Sequence, residues 1–587
     1  MKLKAFAFGN RDVSAAAFDQ RHSVGEMSCS RYRAAVLWLM IVAGGVSLSA
    51  QTEMAAKVGW KNVPAEGWQA DLHQLAENAP LLHRNLFHTT KQEEFDAAVA
   101  RLNEAIPGMS ADERLVAFMR LGALIQDGHS GFDIYNLQLP RAPVRFMEFE
   151  DGVYVTAVEG AHADIVGSKL VRVGSTDWKT AMEKVRQLVS HDPDNTGRAW
   201  SWGAEFYLNA PILLHGLGLS NSDQQASYTV EKNGVSATIT LPDSVQPAPF
   251  STRDSILRPI PPNWVTIWPS GTKARLADRN PDRYYWLQVI PERRAVYFDF
   301  RAVANDPQIS LAEFAKQLSQ ALESKQVERV VIDVRQNAGG DNTLLRPLLL
   351  VLFRARINHR GGVWVLISNR TFSACQNFVN RLENYADVIF VGQPTAENVN
   401  FYADAQRLRL QNTHLDIGFS ALWWEDKDPR DLRTATLPEI AVTPSFEEMV
   451  SGRDGALQIA LTEPAPPTLS EVVRAAVLEG PQSLRSAYEN YMHDARHRYV
   501  KSDEIQLNRT GYELLGQKRT QSAVAVFRLN AEMHPHSSNV FDSLGEGLEA
   551  DGDLPGAIAA YTKALQIDPT NRHAAFALSQ LKAKIGR

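Results

Sequence analysis

Two apolar runs that end in polar turns most constrain how this chain can fold. Val330–Val334 is rich in β-branched residues, which favour a buried strand, and a Gly339-Gly340 pair follows it closely. Paired glycines let another backbone or a ligand approach. Residues 363–367 form a second such run, and a helical pattern begins near Ser373 shortly afterwards. Strand and helix patterns alternate from 295 to 391, which predicts an α/β layer fold with parallel strands.

Ser373 is the residue of greatest chemical interest in this region. A hydroxyl at a helix N-terminus lies among unpaired amides and at the positive end of the helix dipole, where negative charge is stabilised. We therefore predict a serine nucleophile, beside an oxyanion site formed by the amide of Ala374 and that of Gly339 or Gly340. The alternative is that Ser373 only caps the helix.

Four short motifs, in order along about 110 residues, are similar to those of one enzyme family. The matching residues are Asp333, Arg335, Asn337, Gly339 and Gly340; Thr371 to Ala374; Gly392 and Thr395; and Pro438, Glu439, Ile440 and Val442. Together they resemble the tail-specific, or C-terminal-processing, serine peptidases, well over 281–463 and loosely over 55–463. The resemblance implies a serine peptidase with an α/β catalytic core and Ser373 as its nucleophile.

A serine nucleophile needs a base, and the usual base of this family is absent. The better-known branch uses a lysine shortly after the threonine of the third motif, but no lysine follows Thr395 there. The tricorn-like branch takes a histidine from an aspartate-glycine-histidine motif, which residues 127–130 resemble. Imidazole can take and return a proton near neutral pH, so we expect His129 to be the base. The alternative is a histidine that interacts with a helix C-terminus.

A third group should orient the imidazole. Tricorn-like relatives use a glutamate shortly before the strand that begins near Pro438. The candidates in this chain are Asp431, which fits the distance to Pro438, and Glu425, which fits the residue type. A third candidate is Glu397, which lies where the lysine-using relatives carry their base. We rank Asp431 first and Glu425 second.

Other classes of function are disfavoured by composition. The net charge of −6 gives no basic surface for nucleic acid. No spacing among the 15 histidines indicates a metal site, so we expect neither metal nor cofactor. Cys375 lies two residues after Ser373, but neighbours at that spacing on a helix point in different directions. We interpret Cys375 as a small buried packing residue.

The N-terminus has the pattern of an export signal. Basic residues at Arg31 and Arg33 precede the apolar run Ala34–Leu48, and small residues follow it. We predict cleavage near Ala50 and a periplasmic or secreted protein. A single N-terminal membrane anchor is the alternative.

The last 82 residues repeat with a period of 34. Gly511 and Gly545 are related by this spacing, as are Phe527 and Tyr561, and the pattern resembles two tetratricopeptide repeats. Two repeats are fewer than usual, so we expect helices at about 470–496, or the catalytic domain, to complete the stack. The repeats would either bind a protein partner or serve only for packing.

The whole chain is therefore predicted to be a multidomain α/β protein. The predicted segments are a signal peptide (1–50), an N-terminal helical domain (55–140), a PDZ-like α+β module (144–245), a linker (246–280), the α/β catalytic core with parallel strands (281–463), a helical connector (464–504) and the all-α tetratricopeptide repeats (505–587). We expect an exported serine peptidase acting on peptide or protein substrates. The alternatives are a catalytically silent ligand- or peptide-binding protein on the same fold, and an esterase or amidase acting on small acyl compounds.

Overall fold

The structure is a computed structural model, and it describes residues 59–245, 257, 259–268, 274–500 and 503–585. The described residues belong to one compact unit, Met54–Arg587. The predicted signal peptide at 1–50 lies outside them. Within the described ranges, no helix combines the length and the hydrophobicity that a membrane span requires.

The N-terminal part is helical, as predicted. Its helices are α1 (Ala65–Leu82), α2 (Gln92–Ala105) and α3 (Ala111–Ala123). Ser110 begins α3 with a capping box. Its hydroxyl accepts the backbone N–H of Glu113, and the Glu113 carboxylate accepts the backbone N–H of Ser110. The loop that follows α3 contains His129, so the end of this helix positions the loop that carries the predicted base.

An antiparallel sheet with helices follows. Its elements are β1 (Val144–Phe149), β2 (Gly152–Glu159), β3 (Lys169–Val173), β4 (Thr176–Asp177), α4 (Trp178–Arg186), α5 (Gly197–Trp202), α6 (Pro211–Gly216), β5 (Gln225–Lys232), β6 (Val235–Pro242) and β7 (Trp264–Thr266). The main path is β1-β2-β3-β5-β6, while β4 pairs with β3 and β7 with β2. The prediction of a plain linker at 246–280 is therefore wrong at β7. A three-residue strand between prolines is too short to show an alternating pattern.

The core confirms the predicted α/β fold. Its elements in chain order are β8 (Tyr285–Ile290), β9 (Ala295–Phe300), α7 (Leu311–Glu323), β10 (Arg329–Asp333), α8 (Arg346–Arg354), β11 (Val363–Ile367), α9 (Ala374–Tyr385), β12 (Val388–Gly392), β13 (Asn400–Arg409), β14 (Asp416–Glu425) and β15 (Ile440–Ala441). One sheet has the order β15-β12-β11-β10-β9-β8. Its neighbouring strands are parallel, except β8 and β9. Parallel strands direct their carboxyl ends to one edge, where sites form.

β13 and β14 form an antiparallel hairpin outside that sheet. Buried Leu410, Ile417 and Phe419 of the hairpin pack into the hydrophobic cluster of the N-terminal helices. The buried carboxylate of Asp71 in α1 accepts the backbone N–H of Thr413 in the hairpin turn at 2.7 Å. The hairpin therefore joins the core to the N-terminal region.

The C-terminal region is helical. Its helices are α10 (Phe446–Ser451), α11 (Gly455–Thr462), α12 (Leu469–Ala476), α13 (Pro481–His493), α14 (Asp503–Gly516), α15 (Thr520–Met533), α16 (Ser538–Asp551), α17 (Leu554–Ile567) and α18 (Arg572–Ile585). α14 packs on α15 and α16 on α17. A Cβ at Gly511 would overlap the ring of Phe527, and one at Gly545 the ring of Tyr561. This close approach explains the 34-residue spacing. α12 and α13 share the hydrophobic cluster of these helices, as expected for the completing segment.

Candidate active site

Ser373 lies on a strained turn between β11 and α9. Its φ of 58° and ψ of −129° form a combination that non-glycine residues rarely adopt, and such strain is found mostly at functional sites. The neighbouring Phe372 amide donates to the Asn337 carbonyl at 3.1 Å, and the Thr371 hydroxyl donates to the Val334 carbonyl at 3.0 Å. These bonds tie the turn to the segment after β10.

The close approach of the two turns requires a glycine at position 339. Its φ is 104°, and a Cβ there would lie 2.6 Å from the Cβ of Ser373. The predicted role of the glycine pair in close backbone approach is therefore seen directly at Gly339.

The loop that carries His129 is organised by the buried carboxylate of Asp127. That carboxylate accepts the backbone N–H groups of His129 at 2.7 Å and Ser130 at 3.0 Å. It also pairs with the fully buried ring of His83 at 2.7 Å. Burial raises the pKa of Asp127, but the hydrogen bonds that its carboxylate accepts from His83 and Ser130 outweigh burial and hold the pKa below its usual range. Asp127 therefore stays ionised and shapes the loop.

The structure brings His129, Ser373 and Glu397 together. His129 Nε2 lies 2.9 Å from Ser373 Oγ, and His129 Nδ1 lies 3.0 Å from Glu397 Oε1. The other oxygen, Glu397 Oε2, accepts the backbone N–H of Ser373 at 2.5 Å. One fully buried carboxylate thus contacts both the ring of the histidine and the backbone of the serine. This is the arrangement of a serine, a base and an orienting acid.

The charges of this cluster are mutually dependent. Burial lowers the pKa of His129, but the attraction of Glu397 outweighs burial and raises the pKa above 6.5. Burial raises the pKa of Glu397 in turn, although the charge of His129 opposes the rise. The Nδ1–Oε1 contact is short but lacks hydrogen-bond alignment. Hydrogen bonds of this kind often align only when substrate binds.

The structure places the third-ranked carboxylate, and neither of the first two, beside His129. Asp431 forms an ion pair with Arg433 at 2.7 Å, Glu425 accepts from the Trp423 indole at 3.0 Å, and neither contacts His129 among the described residues. Glu425 is the last residue of β14 and Asp431 lies in the loop after it, and the contacts just named hold both carboxylates apart from the imidazole at the serine turn. Glu397, ranked third, precedes the hairpin and remains beside that turn.

Asp192 is a positioning residue, and no motif around it in the sequence indicates this role. Its buried carboxylate accepts the backbone N–H of Gly128 at 2.9 Å and that of Asn398 at 2.8 Å. Each of these amides is adjacent in sequence to a member of the cluster, His129 or Glu397. Burial, with the nearby charge of Glu397, raises the pKa of Asp192 to about 7. Asp192 therefore joins the two loops that carry the base and its acid.

The candidate oxyanion donors can now be separated. The Gly339 amide donates to Asn337 Oδ1 at 2.9 Å, so it is not a free donor, and Gly340 remains as the alternative. The amides of Gly340 and Ala374 have no acceptor within the part of the chain that the structure describes. Gly340, Ser373 and His129 line a cavity of about 370 Å³. An oxyanion formed at Ser373 would lie at this cavity.

Two groups of side chains have the composition of a metal site. In the first, His83, His88 and Asp127 place possible ligand atoms within 4.8 Å of one another. His83 Nδ1 accepts the backbone N–H of Asn85, so its Nε2 carries a proton towards Asp127 and is not available to an ion. In the second, Asp542, Glu546 and His573, the histidine and Asp542 already form an ion pair at 2.9 Å. The ligand atoms of His83, Asp127, Asp542 and His573 are thus engaged by protein contacts, whereas His88 Nε2 is buried without a partner among the described residues.

Cys375 lies inside α9 and belongs to the buried core, which agrees with its prediction as a packing residue. Burial raises the pKa of its thiol well above the usual range. A thiol that stays protonated is a poor nucleophile.

Comparison with known proteins gives similarities of fold. No family model and no curated protein matches the chain. Among solved structures, mature CPAF complexed with lactacystin has 12% identity and a TM-score of 0.47, over 68% of this chain and 97% of that one. The photosystem II D1 C-terminal processing protease has 13% identity and a TM-score of 0.30, over 66% and 98%. The tricorn protease has 13% identity and a TM-score of 0.29, over 68% and 36%. Two of these three are named as proteases.

Proposed function

We propose that this protein is a serine peptidase in which Ser373 is the nucleophile, His129 the base and Glu397 the orienting acid. The observation that carries the proposal is the 2.9 Å distance between His129 Nε2 and Ser373 Oγ, two atoms 244 residues apart in sequence. A buried carboxylate on the far side of the imidazole completes the set. The missing lysine after Thr395 is thereby replaced by a base from the N-terminal region, as in the tricorn-like branch that the sequence resembles.

The chemistry follows from the positions of these atoms. His129 Nε2 takes the proton as Ser373 Oγ attacks the scissile carbonyl, and Glu397 stabilises the imidazolium that forms. The amides of Gly340 and Ala374 would receive the oxyanion, and the loss of one such donor raises the barrier by roughly 3–4 kcal/mol. His129 then returns the proton to the leaving amine. Water attacks the acyl-enzyme by the same route in reverse.

The shape of the site favours an extended peptide over a small ester. A second cavity, of about 750 Å³, adjoins the first, because Arg301, Gln336 and Arg370 line both. Residues 145–150, which include most of β1, line the second cavity. A chain bound across Ser373 could therefore continue along a strand, a recurrent mode of peptide binding.

The remaining parts of the proposal concern organisation and location. We assign the sheet β1–β7 with α4 to a PDZ-like module, and α14–α17 to two tetratricopeptide repeats. The glycine-aromatic contacts between paired helices support the repeats. The segment limits given from the sequence stand as proposed domain limits, with β7 added to the module. Export to the periplasm or beyond the cell, after cleavage near Ala50, rests on the N-terminal sequence.

A covalent serine probe tests the proposed function. A fluorophosphonate should label the purified protein once, and peptide mapping should place the label on Ser373, because the adjacent imidazole activates that hydroxyl. Ser373→Ala should abolish both labelling and hydrolysis of a casein-type substrate. Cys375→Ala is the matched control and should still be labelled. A folded protein that is neither labelled nor able to cleave peptides would contradict the proposal.

A further inference from the structure

The cavity beside Ser373 is lined by more cations than anions. Its arginines are Arg198, Arg301, Arg370 and Arg407, and its carboxylates are Asp133 and Asp416. Arg301 pairs with Asp299 at 2.8 Å, and Arg370 pairs with Glu205 at 2.7 Å. Asp416 is paired with Arg409, which lies outside the cavity lining. Of these four arginines, Arg198 and Arg407 have no carboxylate within ion-pair distance in the described ranges.

Arg198 is held rigidly at this cavity. Its side chain is only 9% exposed, and its guanidinium lies 3.9 Å from the ring centre of Phe372 and 4.4 Å from that of Trp202. One terminal nitrogen donates to the Gly128 carbonyl. The stacking on two rings stabilises the cation and fixes its orientation.

One donor of this buried guanidinium has no acceptor. Arg198 Nε lies in the interior without a hydrogen-bond partner among the described residues. Glu397, Asp133 and Asp192 attract the charge from beyond ion-pair distance, and Glu397 already contacts His129 and Ser373. A buried charged donor without an acceptor is unfavourable. Arg198 also lines the cavity beside Ser373, so an anionic group of a ligand there would supply an attraction that no carboxylate in the described ranges supplies at ion-pair distance.

We propose that Arg198, assisted by Arg407 at the cavity rim, binds a carboxylate of the substrate next to the scissile bond. The proposal rests on the peptidase function and adds a substrate class, namely peptides whose acidic group enters this cavity. That group is the side chain of aspartate or glutamate. Arg407 lies on the exposed part of β13, so its contribution is screened by salt, whereas that of Arg198 is not.

Matched fluorogenic peptides test the proposal. Glutamate or glutamine is placed in turn at each of the four residues around the scissile bond, with the C-terminus amidated. At one position we expect the kcat/KM of the glutamate peptide to rise about ten- to hundredfold over its glutamine twin.

The variants assign this preference to named residues. Arg198→Gln should reduce the ratio of acidic to neutral kcat/KM to about one, Arg198→Lys should keep part of it, and Arg407→Gln should lower it modestly at low salt. Arg172→Gln, on an exposed part of β3, is the control and should leave the ratio unchanged. The ratio within each variant cancels any general loss of activity caused by the contact of Arg198 with Gly128.

The outcomes separate this inference from the proposed function. Hydrolysis with equal rates for acidic and neutral twins, or a preference that survives Arg198→Gln, would overturn the inference while leaving the peptidase intact. If Arg198→Gln is inactive on every peptide, affinities for the twins are compared in Ser373→Ala with and without Arg198→Gln. The acidic peptide should bind more tightly only when Arg198 is present, and equal binding would overturn the inference.

Discussion

Replacement of Glu397 by glutamine removes one charge at the centre of the proposed mechanism. In the structure one carboxylate oxygen accepts the Ser373 amide at 2.5 Å, and the other lies 3.0 Å from His129 Nδ1, whose N–H it would accept once the two groups align. A glutamine offers one acceptor and one donor, so one of these N–H groups must face an N–H. Either the imidazole adopts the wrong tautomer or the serine turn loses its support.

The expected loss is large because both outcomes affect the reacting atoms. Exchange of the orienting acid for its amide in a chymotrypsin-type enzyme costs on the order of 10⁴ in kcat, which corresponds to about 5.4 kcal/mol at 1.36 kcal/mol per factor of ten. We expect Glu397→Gln to lower kcat by about 10³ to 10⁴. Substrate binding should change little.

The pH profile supplies a second, independent readout. Activity requires neutral His129, so it is lost as the pH falls through the pKa of that residue. Because Glu397 raises this pKa, the midpoint of the acid limb in the wild type should lie above 6.5. In Glu397→Gln the effect of burial remains without the opposing charge, and the midpoint of the residual activity should move to lower pH.

Two amide variants serve as matched controls for Glu397→Gln. Asp431→Asn and Glu425→Gln make the same chemical change at carboxylates that do not touch the imidazole in the described structure. Initial rates on one fluorogenic peptide from pH 5 to 9 should place both controls within a few-fold of the wild type. Near-normal turnover of Glu397→Gln with an unmoved midpoint, or an equal loss in either control, would refute the reasoning.

Three further predictions concern neighbouring groups. Ser373→Ala and His129→Ala should each remove nearly all activity, and the double variant should lose no more than either single one, because the pair acts as a unit; additive losses in kcat would contradict this. Asp192→Asn can accept only one of its two backbone donors, so kcat should fall about ten- to hundredfold with little change in KM, as steady-state kinetics would show. Because its pKa is raised, Asp192 stabilises the fold at low pH and loses that contribution as the pH rises through about 7. The fall in Tm between pH 5 and 8 should therefore be smaller in Asp192→Asn than in the wild type. An equal fall would count against the assignment. Gly339→Ala should yield folded protein at best with little activity, measured by circular dichroism and hydrolysis, since its Cβ would displace Ser373.

The core strands and the turns around Ser373 and His129 carry local patterns that the sequence displays. A buried parallel strand is a continuous β-branched run, which is why β10 and β11 are visible in the sequence. Ser373 and His129 stand in short motifs whose neighbours determine the backbone around them. The structure accordingly places these two side chains together, although 244 residues separate them.

The predictions that failed concern contacts made at long range. Asp431 was preferred because of its distance from Pro438 along the chain, but its carboxylate pairs with Arg433, and a chain distance does not specify which side chain faces the imidazole. Asp192 acts by accepting two backbone N–H groups, and the sequence does not show which backbone groups a side chain will contact. A carboxylate that binds backbone looks like any surface acid until the fold is known.

The anchoring of the β13–β14 hairpin on α1 has a consequence for the order in which the protein folds during its synthesis. A ribosome makes Asp71 and His129 long before it makes Ser373, Glu397 and the hairpin turn at Thr413. The bond between Asp71 and Thr413 can form only when the chain has grown past the nucleophile. A nascent chain therefore holds His129 without Ser373, and the proposed peptidase site is not assembled until the hairpin has been made and has folded onto α1.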